Sequence, residues 1–562
     1  MKKIGIRLYK YIFLLSFGLM GSSYANDIDA QIKSVISGKI NSSAGASRIM
    51  CANKLRCSLA LTTQQYNQES STILWSHNGK ILPNANQLIE ILQNSYKDAL
   101  YPEDYHLSII NQLTQQVSSA PMMQPPIAAL ADLDTTLTDA FLLYAKHMAT
   151  GRVDNLAVYP TWTISKRAVN LPDLLQKATH GGNLTQVLNG LTPTYPGYLE
   201  LKSQLEKYQN IASNGGWGQI AAGASLKLGS KGVRVSQLQK RLTITGEYSA
   251  AEKKAIFDKQ LKEAVMKFQT NHGLKANGIV DKQTLQALNI PVNQVIKLIE
   301  LNMDRLRWLP LQTSNQYLLV NIPNFSLNVM ESGQTTLSMP VIVGKGANRS
   351  CVLSSKISYI EINPYWSVPD SIGRKEILPK LQQDPSYLAK EQMNVYNGSF
   401  ANPPLDPSKI NWKKVDPNNM PYKFRQMPGE KNALGHIKFI FPNVCGIYLH
   451  DTPTRNLFGR NRRDFSHGCI RVGKPIELAD YLLSDKPNWG GDRVESQIAS
   501  GKRQIVYLAE PMDVNIIYGT VWVDNKGELQ FRNDIYQIDN VDYPVYLPKE
   551  SSVTEAESDD NE

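Results

Sequence analysis

The sequence predicts a multidomain α+β protein: a mostly helical first part, a small three-helix bundle, and a β-rich domain with an inserted capping subdomain. Three observations predict it. The chain has 562 residues, enough for three or four domains at roughly 150 residues each. Hydrophobic residues make up 42% and charged residues 20%, which supports packed cores and excludes a collagen, a coiled-coil rod or a wholly disordered chain. Near residue 315 the apolar pattern changes from a helical period to short alternating runs.

The start reads as an export signal. Lys2, Lys3, Arg7 and Lys10 precede a short apolar run, Tyr11 to Met20, and Ser23-Tyr24-Ala25 offers small residues for cleavage. The run is short for a membrane span, which takes about 20 residues. Residues 1–25 are therefore expected to be a signal peptide that sends the protein to an oxidising space outside the cytoplasm, with an uncleaved membrane anchor left open. Residues 26–85 show no sustained period and are not assigned. The net charge is +10; without the four leader cations and the six acids of the tail from Glu550 the body carries +12. That excess suits an anionic wall or membrane surface as well as nucleic acid. No nucleic-acid motif is present, and no such partner is expected.

Residues 86–220 read as a helical domain. Leu133, Leu137, Ala140, Phe141 and Tyr144 share one face of a long helix, and Thr150-Gly151 and Gly181-Gly182 break the segments. His106, His147 and His180 lie here and are read as structural. A small-residue linker (Asn214 to Gly218, Ala221 to Ser225) leads to a compact unit, 226–290. There Val235, Leu238, Gln239 and Leu242, then Leu261, Ala264, Val265 and Phe268, repeat at helical spacing. Asp281 to Leu288 supplies a third short helix. A helical connector, Val295 to Trp308, follows.

The β-rich domain covers 315–510. Tyr317 to Ile322, Phe325 to Met330, Thr336 to Val343, Ile357 to Ile362, His436 to Phe441 and Ile505 to Leu508 read as strands. A Pro-, Asp- and Lys-rich insertion, about 370–430, is long enough to be a lid over a binding site. Residues 511–547 are expected to form a terminal hairpin, Val514 to Asp524 against Glu528 to Ile535. The acidic stretch 548–562 is expected to be disordered.

Chemistry concentrates between Tyr448 and Arg471. The chain has five cysteines, an odd number that leaves one thiol over in an oxidising compartment. Cys51 and Cys57 are close enough for a local staple, and Cys351 and Cys445 are available to pair across one domain. Cys469 differs: it follows His467-Gly468 and precedes Arg471 by two residues, with His450 upstream. A thiol is mostly protonated at neutral pH unless a base takes its proton. Gly468 permits a tight turn whose amides could face an oxyanion.

His450-Asp451-Thr452 followed by Ser466-His467-Gly468-Cys469-Ile470-Arg471 resembles the signature of the L,D-transpeptidase catalytic domain. Asn363 to Pro369, Lys431 to Gly435 and Leu449 to Pro453 look like the large periplasmic subfamily, as do Leu137 to Phe141 and Gly151 to Asp154 in its scaffold domain. The 226–290 unit resembles the peptidoglycan-binding type 1 module through Leu228-Gly229, Gly232, Leu238-Gln239, Phe268-Gln269, Gly273-Leu274 and Val280-Asp281.

The resemblance implies a fold and an activity. Cys469 would be the nucleophile and His450 the general base, later the acid. The backbone of His467, Gly468 and Cys469 would form the oxyanion hole, with His467 shaping the site and open to assisting. Tyr448, Trp366, Ser466 and Arg471 would contact substrate. The substrate would be peptidoglycan tetrapeptide stems as donor and acceptor. The enzyme would acylate itself at the third residue, expel terminal D-Ala and form a 3→3 cross-link. Water or a lipoprotein lysine are open alternatives as acceptor, and a wall-binding protein without activity is the alternative to an enzyme. No metal or organic cofactor is implied. Glycan synthase or carboxypeptidase partners are left open, and a carbapenem is expected to acylate Cys469.

Overall fold

The computed structural model describes residues 28–43, 48–52, 55–58, 73–121, 124–153, 159, 161–195, 197–249, 255–311, 314–489 and 492–539. The expected signal peptide and acidic tail lie outside these residues. No helix among them is long and apolar enough to cross a membrane.

The spine of the helical domain is the Ile127–Thr150 helix, buried on nearly every side. Such burial requires its polar residues to find partners. Asp134 accepts hydrogen bonds from the backbone N–H groups of Leu74 and Trp75 at 3.0 and 2.9 Å, and the Trp75 indole donates to Thr138 at 3.0 Å. These bonds draw part of the unassigned 26–85 stretch into the domain. A helix over 28–42 also joins its core through Ile28, Ile32 and Ile36. That i, i+4, i+8 spacing was the available sequence signal. The hairpin of Arg48–Ala52 and Leu55–Ser58 is closed by a Cys51–Cys57 disulfide.

Three helices, Val233–Thr245, Lys259–Asn271 and Lys282–Leu288, enclose the small bundle's core, which includes Val235, Leu238, Leu261 and Phe268. Asp258 and Asp281 cap the second and third, each accepting a backbone N–H at 2.8 Å. The Val292–Arg307 helix is more than a connector. Val295, Ile299 and Met303 pack into a shared core with Leu201 and Leu205 of the Tyr198–Ser213 helix. Its fully buried Arg307 bonds Asp304 and the Tyr198 hydroxyl.

The β-rich domain holds a nine-stranded sheet: β1 (Gln316–Asn321), β2 (Ser326–Glu331), β3 (Gln334–Gly344), β4 (Leu353–Ile362), β5 (Ile437–Ile440), β6 (Leu449–His450), β7 (Asp464–Ser466), β8 (Ile470–Val472) and β9 (Gln504–Ile517). The order is β7-β3-β8-β6-β5-β4-β9-β1-β2, and β2 pairs back onto β3, so the sheet closes on itself. Its inward residues, among them Ile360, Ile362, Ile437, Phe439, Leu449, Ile470 and Val506, form one core with Leu478 and Leu482 of the Pro475–Leu483 helix. A Cys351–Cys445 disulfide joins the approach to β4 with the approach to β6.

The expected insertion is a subdomain with its own core around Leu378, Leu381, Trp412 and Phe424. A three-stranded sheet of Trp366–Ser367, Met393–Asn397 and Tyr422–Gln426 supports it. Its root is held by buried Gln426 and Asn432. Gln426 donates to the Glu391 and Lys431 carbonyls, and Asn432 to those of Pro364 and Met427.

One expectation is corrected. The terminal hairpin does not begin at Val514. Residues through Ile517 continue β9, pairing with β4 and in parallel with β1, because Val514 and Ile516 are apolar and buried in the sheet's core. The hairpin proper is Val521–Val523 against Leu529–Phe531.

Candidate active site

β6 and β8 run parallel, with Leu449 opposite Ile470 and His450 opposite Arg471. Side chains alternate along a strand, so Leu449 and Ile470 point into the core while Tyr448, His450, Cys469 and Arg471 share the other face. β5 extends the row, since Lys438 lies opposite His450. The Tyr448 ring sits 5.7 Å from the His450 ring, and the Lys438 ammonium lies 4.0 Å from the Tyr448 ring centre. A strand pairing shifted by one residue would send the thiol and the imidazole to opposite faces.

Cys469 is the free cysteine among the described residues. Burial pushes its thiol up, while the Tyr448 backbone and hydroxyl donors and the Lys438 and Arg471 cations pull the other way. His450 is buried. Burial, with the Arg471 and Lys438 cations, brings its imidazole down to about 3, so the ring is neutral at physiological pH. Its Nδ1 lies 2.5 Å from the Asp451 carbonyl oxygen. A carbonyl can only accept, so Nδ1 carries the proton and Nε2 keeps the lone pair. Asp451 is fixed in turn: its carboxylate accepts the His436 N–H at 3.0 Å and pairs with Arg455 at 2.8 Å. Gly435, at φ +60, is required beside it, because a Cβ there would run into the Asp451 carboxylate.

The turn before Cys469 is braced from within and below. Gly468 takes φ +116, a region L side chains avoid. Ser466 Oγ accepts the Gly468 N–H at 3.1 Å and donates to the Cys469 carbonyl at 2.5 Å. Beneath, Ser350 Oγ donates to the Gly468 carbonyl at 2.6 Å and accepts the Gly344 N–H at 2.9 Å. Tyr536 then bonds both the Ser350 N–H and the Gly344 carbonyl. The sequence reading did not identify Ser350 or Tyr536, which lie 119 and 67 residues from Cys469 in the chain.

Three of the expected site residues are engaged within the protein. Ser466 is 2% exposed, and its hydroxyl bonds the Gly468 N–H and the Cys469 carbonyl inside the turn. The Gly468 N–H is likewise engaged by Ser466, and the Cys469 sulfur has donors from Tyr448. Trp366 is half-buried and packs on the cap's core. His467 turns outward to the cap, its Nε2 2.6 Å from Glu376 of the π-helical turn Gly373–Ile377. Arg471 stays at the site, and its Nε is buried without a hydrogen-bond partner. Lys438 was not foreseen. A polar residue in an alternating strand signals only an outward position, not what it faces.

Among the described residues, Cys57, His106 and Asp139 bring metal-type donor atoms within 4.8 Å of one another. They lie in the helical domain, and the Cys57 sulfur is bonded to Cys51.

The site is thus a free thiol, a neutral histidine and two cations on one face of a closed β-sheet domain that carries a capping subdomain. Among known families, residues 315–498 match the L,D-transpeptidase catalytic domain, 60–205 the scaffold domain, and 231–288 the family described as "Putative peptidoglycan binding domain". The chain thus carries a match to the L,D-transpeptidase catalytic domain together with matches to the scaffold and peptidoglycan-binding domain families. It is 35% identical over 263 residues to a "Putative L,D-transpeptidase" of Haemophilus influenzae, covering 46% of this chain and 52% of the relative. The chain thus spans about half the length of that relative. Among solved structures, it is similar to an L,D-transpeptidase of Xylanimonas cellulosilytica (16% identity, 53% of this chain and 99% of that one, TM-score 0.18). It is also similar to one of Stackebrandtia nassauensis (14% identity, 53% and 96%, TM-score 0.21).

Proposed function

We propose that this protein is a periplasmic cysteine L,D-transpeptidase that forms 3→3 cross-links between peptidoglycan tetrapeptide stems. The observation that carries the reading is the β6–β8 register, which sets the free thiol and the neutral imidazole on one face of one sheet. His450 Nε2 accepts the thiol proton as Cys469 Sγ attacks the carbonyl of the third stem residue. The Tyr448 hydroxyl and N–H stabilise the oxyanion. Collapse breaks the peptide bond, and His450 returns the proton to the leaving D-Ala amine. A thioester remains. The side-chain amine of a second stem attacks it, again deprotonated by His450, and the cross-link departs from a restored thiol.

The remaining groups fit a charged, flexible substrate. Arg471 and Lys438 offer cations to stem carboxylates. The cap rests on the nucleophile turn through Glu376 and His467, where it would enclose the stem and exclude water. The test is incubation of the purified chain with tetrapeptide muropeptides, followed by mass spectrometry. 3→3 dimers and free D-Ala are expected, and Cys469→Ala should give neither. Tripeptide without dimer would replace transpeptidation with hydrolysis. Persistent dimers in the Cys469→Ala protein would remove the nucleophile assignment. A carbapenem should add its mass at Cys469 alone.

A further inference from the structure

The sheet face that carries Cys469 continues well beyond it. On β4, Tyr359 and Glu361 lie on this face, opposite Tyr507 and Ile505 of β9 and opposite Ile440 and Lys438 of β5. Continuing the β5–β6 register past Lys438–His450 brings Ile440 beside Tyr448, which neighbours Cys469. One row across the strands therefore reads Tyr507, Tyr359, Ile440, Tyr448, Cys469. Its far end is bare: Tyr507 is 64% and Ile505 38% exposed, and the Tyr507 and Tyr359 rings lie 5.3 Å apart at 50°. The neighbouring row reads Ile505, Glu361, Lys438 and His450. Lys438 lies there, and Arg503, just before β9, pairs with Glu361. Exposed aromatic and aliphatic side chains on an otherwise polar face mark a binding surface.

We infer that Tyr359 and Tyr507 form a stacking platform for sugar rings of the glycan strand that bears the stem. The inference rests on the transpeptidase reading and extends it from the peptide to the saccharide. Spacing supports this occupant. Strands lie about 4.8 Å apart, so Tyr359 is about 14 Å and Tyr507 about 19 Å across the sheet from Cys469. Three stem residues separate the attacked carbonyl from the sugar, about 11 Å when extended. The γ-linkage and the lactyl ether lengthen this to on the order of 15 Å. Charge also matches: the stem's free carboxylates would cross the sheet near Lys438, with Arg503 paired to Glu361 beside it. Tyrosine provides a flat apolar face with a polar rim, suited to a pyranose ring.

The full chain tests this with paired substrates, one tetrapeptide bare and the other carried on its disaccharide. Tyr359→Ala and Tyr507→Ala together should raise KM for the disaccharide-linked stem about tenfold. The bare tetrapeptide should react as before, and Tyr507→Trp should restore the difference. Equal loss on both substrates, or loss on neither, would overturn the platform. Saturation-transfer NMR supplies a readout independent of turnover, because sugar protons should receive saturation from the native chain and lose it in the double variant. Turnover without sugar saturation refutes the platform alone. Sugar saturation without turnover upholds the platform and refutes the transpeptidase reading.

Discussion

Acidification is the most direct probe of the buried imidazole. An ordinary histidine with a pKa near 6.5 is about 97% protonated at pH 5. His450, brought down to about 3 by burial and the nearby cations, would be about 1% protonated there. Two consequences follow with fixed signs. Catalytically, acylation of Cys469 should show no inflection near pH 6.5, because the base keeps its lone pair; the rate should instead climb above neutrality with the thiol, which burial holds up. Thermodynamically, the unfolded chain binds the proton at pH 5 and the folded chain does not. Stability is therefore complete above about pH 6.5 and falls as pH drops toward 3. The loss at pH 5 is about 2 kcal/mol, from 1.5 pH units at 1.36 kcal/mol each. The assay is intact-mass acylation between pH 4.5 and 9, with denaturant unfolding of the native and His450→Gln chains followed by hydrogen exchange in β6 and β8. The stability gap between the two chains should narrow by about 2 kcal/mol from pH 7 to pH 5. A rate inflection at 6.5, or a gap that does not change, would refute the neutral-base argument.

Other outcomes can be checked alongside. Ser350→Ala strands the Gly344 N–H and the Gly468 carbonyl. It should cost about 1–3 kcal/mol per buried group and slow Cys469 acylation, read by thermal unfolding and by mass. Gly435→Ala forces a Cβ into Asp451 and should cut acylation sharply while the helical domain keeps its hydrogen-exchange protection. Removing the Cys351–Cys445 bridge, which spans 94 residues, should cost about 2–4 kcal/mol, seen as a lower unfolding midpoint without loss of the free thiol. His272 is stacked between Phe268 and Phe531 and brought down to about 3 by burial. The small bundle should therefore loosen selectively near pH 5, and His272→Phe should abolish that pH dependence of exchange.

The amino-acid sequence by itself determined the local content of this protein. The 3.6-residue period of Leu133 to Tyr144 and of Val235 to Leu242 specified helices. Alternation at Ile357 to Ile362 and His436 to Phe441 specified strands, and the run from Ser466 to Arg471 pointed to a reactive thiol. These signals act over a few residues, where backbone geometry and side-chain period are coupled directly. Tertiary structure alone decided which face each strand turned to the site. Lys438 became a cation beside the thiol only because β5 and β6 pair in one register, and a shift of one residue would have reversed it. The same holds for Ser350 and Tyr536 under the Gly468 turn, for Ser466 spending its hydroxyl inside that turn, and for Val514 to Ile517 entering the sheet instead of a hairpin. Each depends on hydrogen bonds or packing between segments far apart in the chain, and such contacts leave no periodic trace in the sequence of either partner.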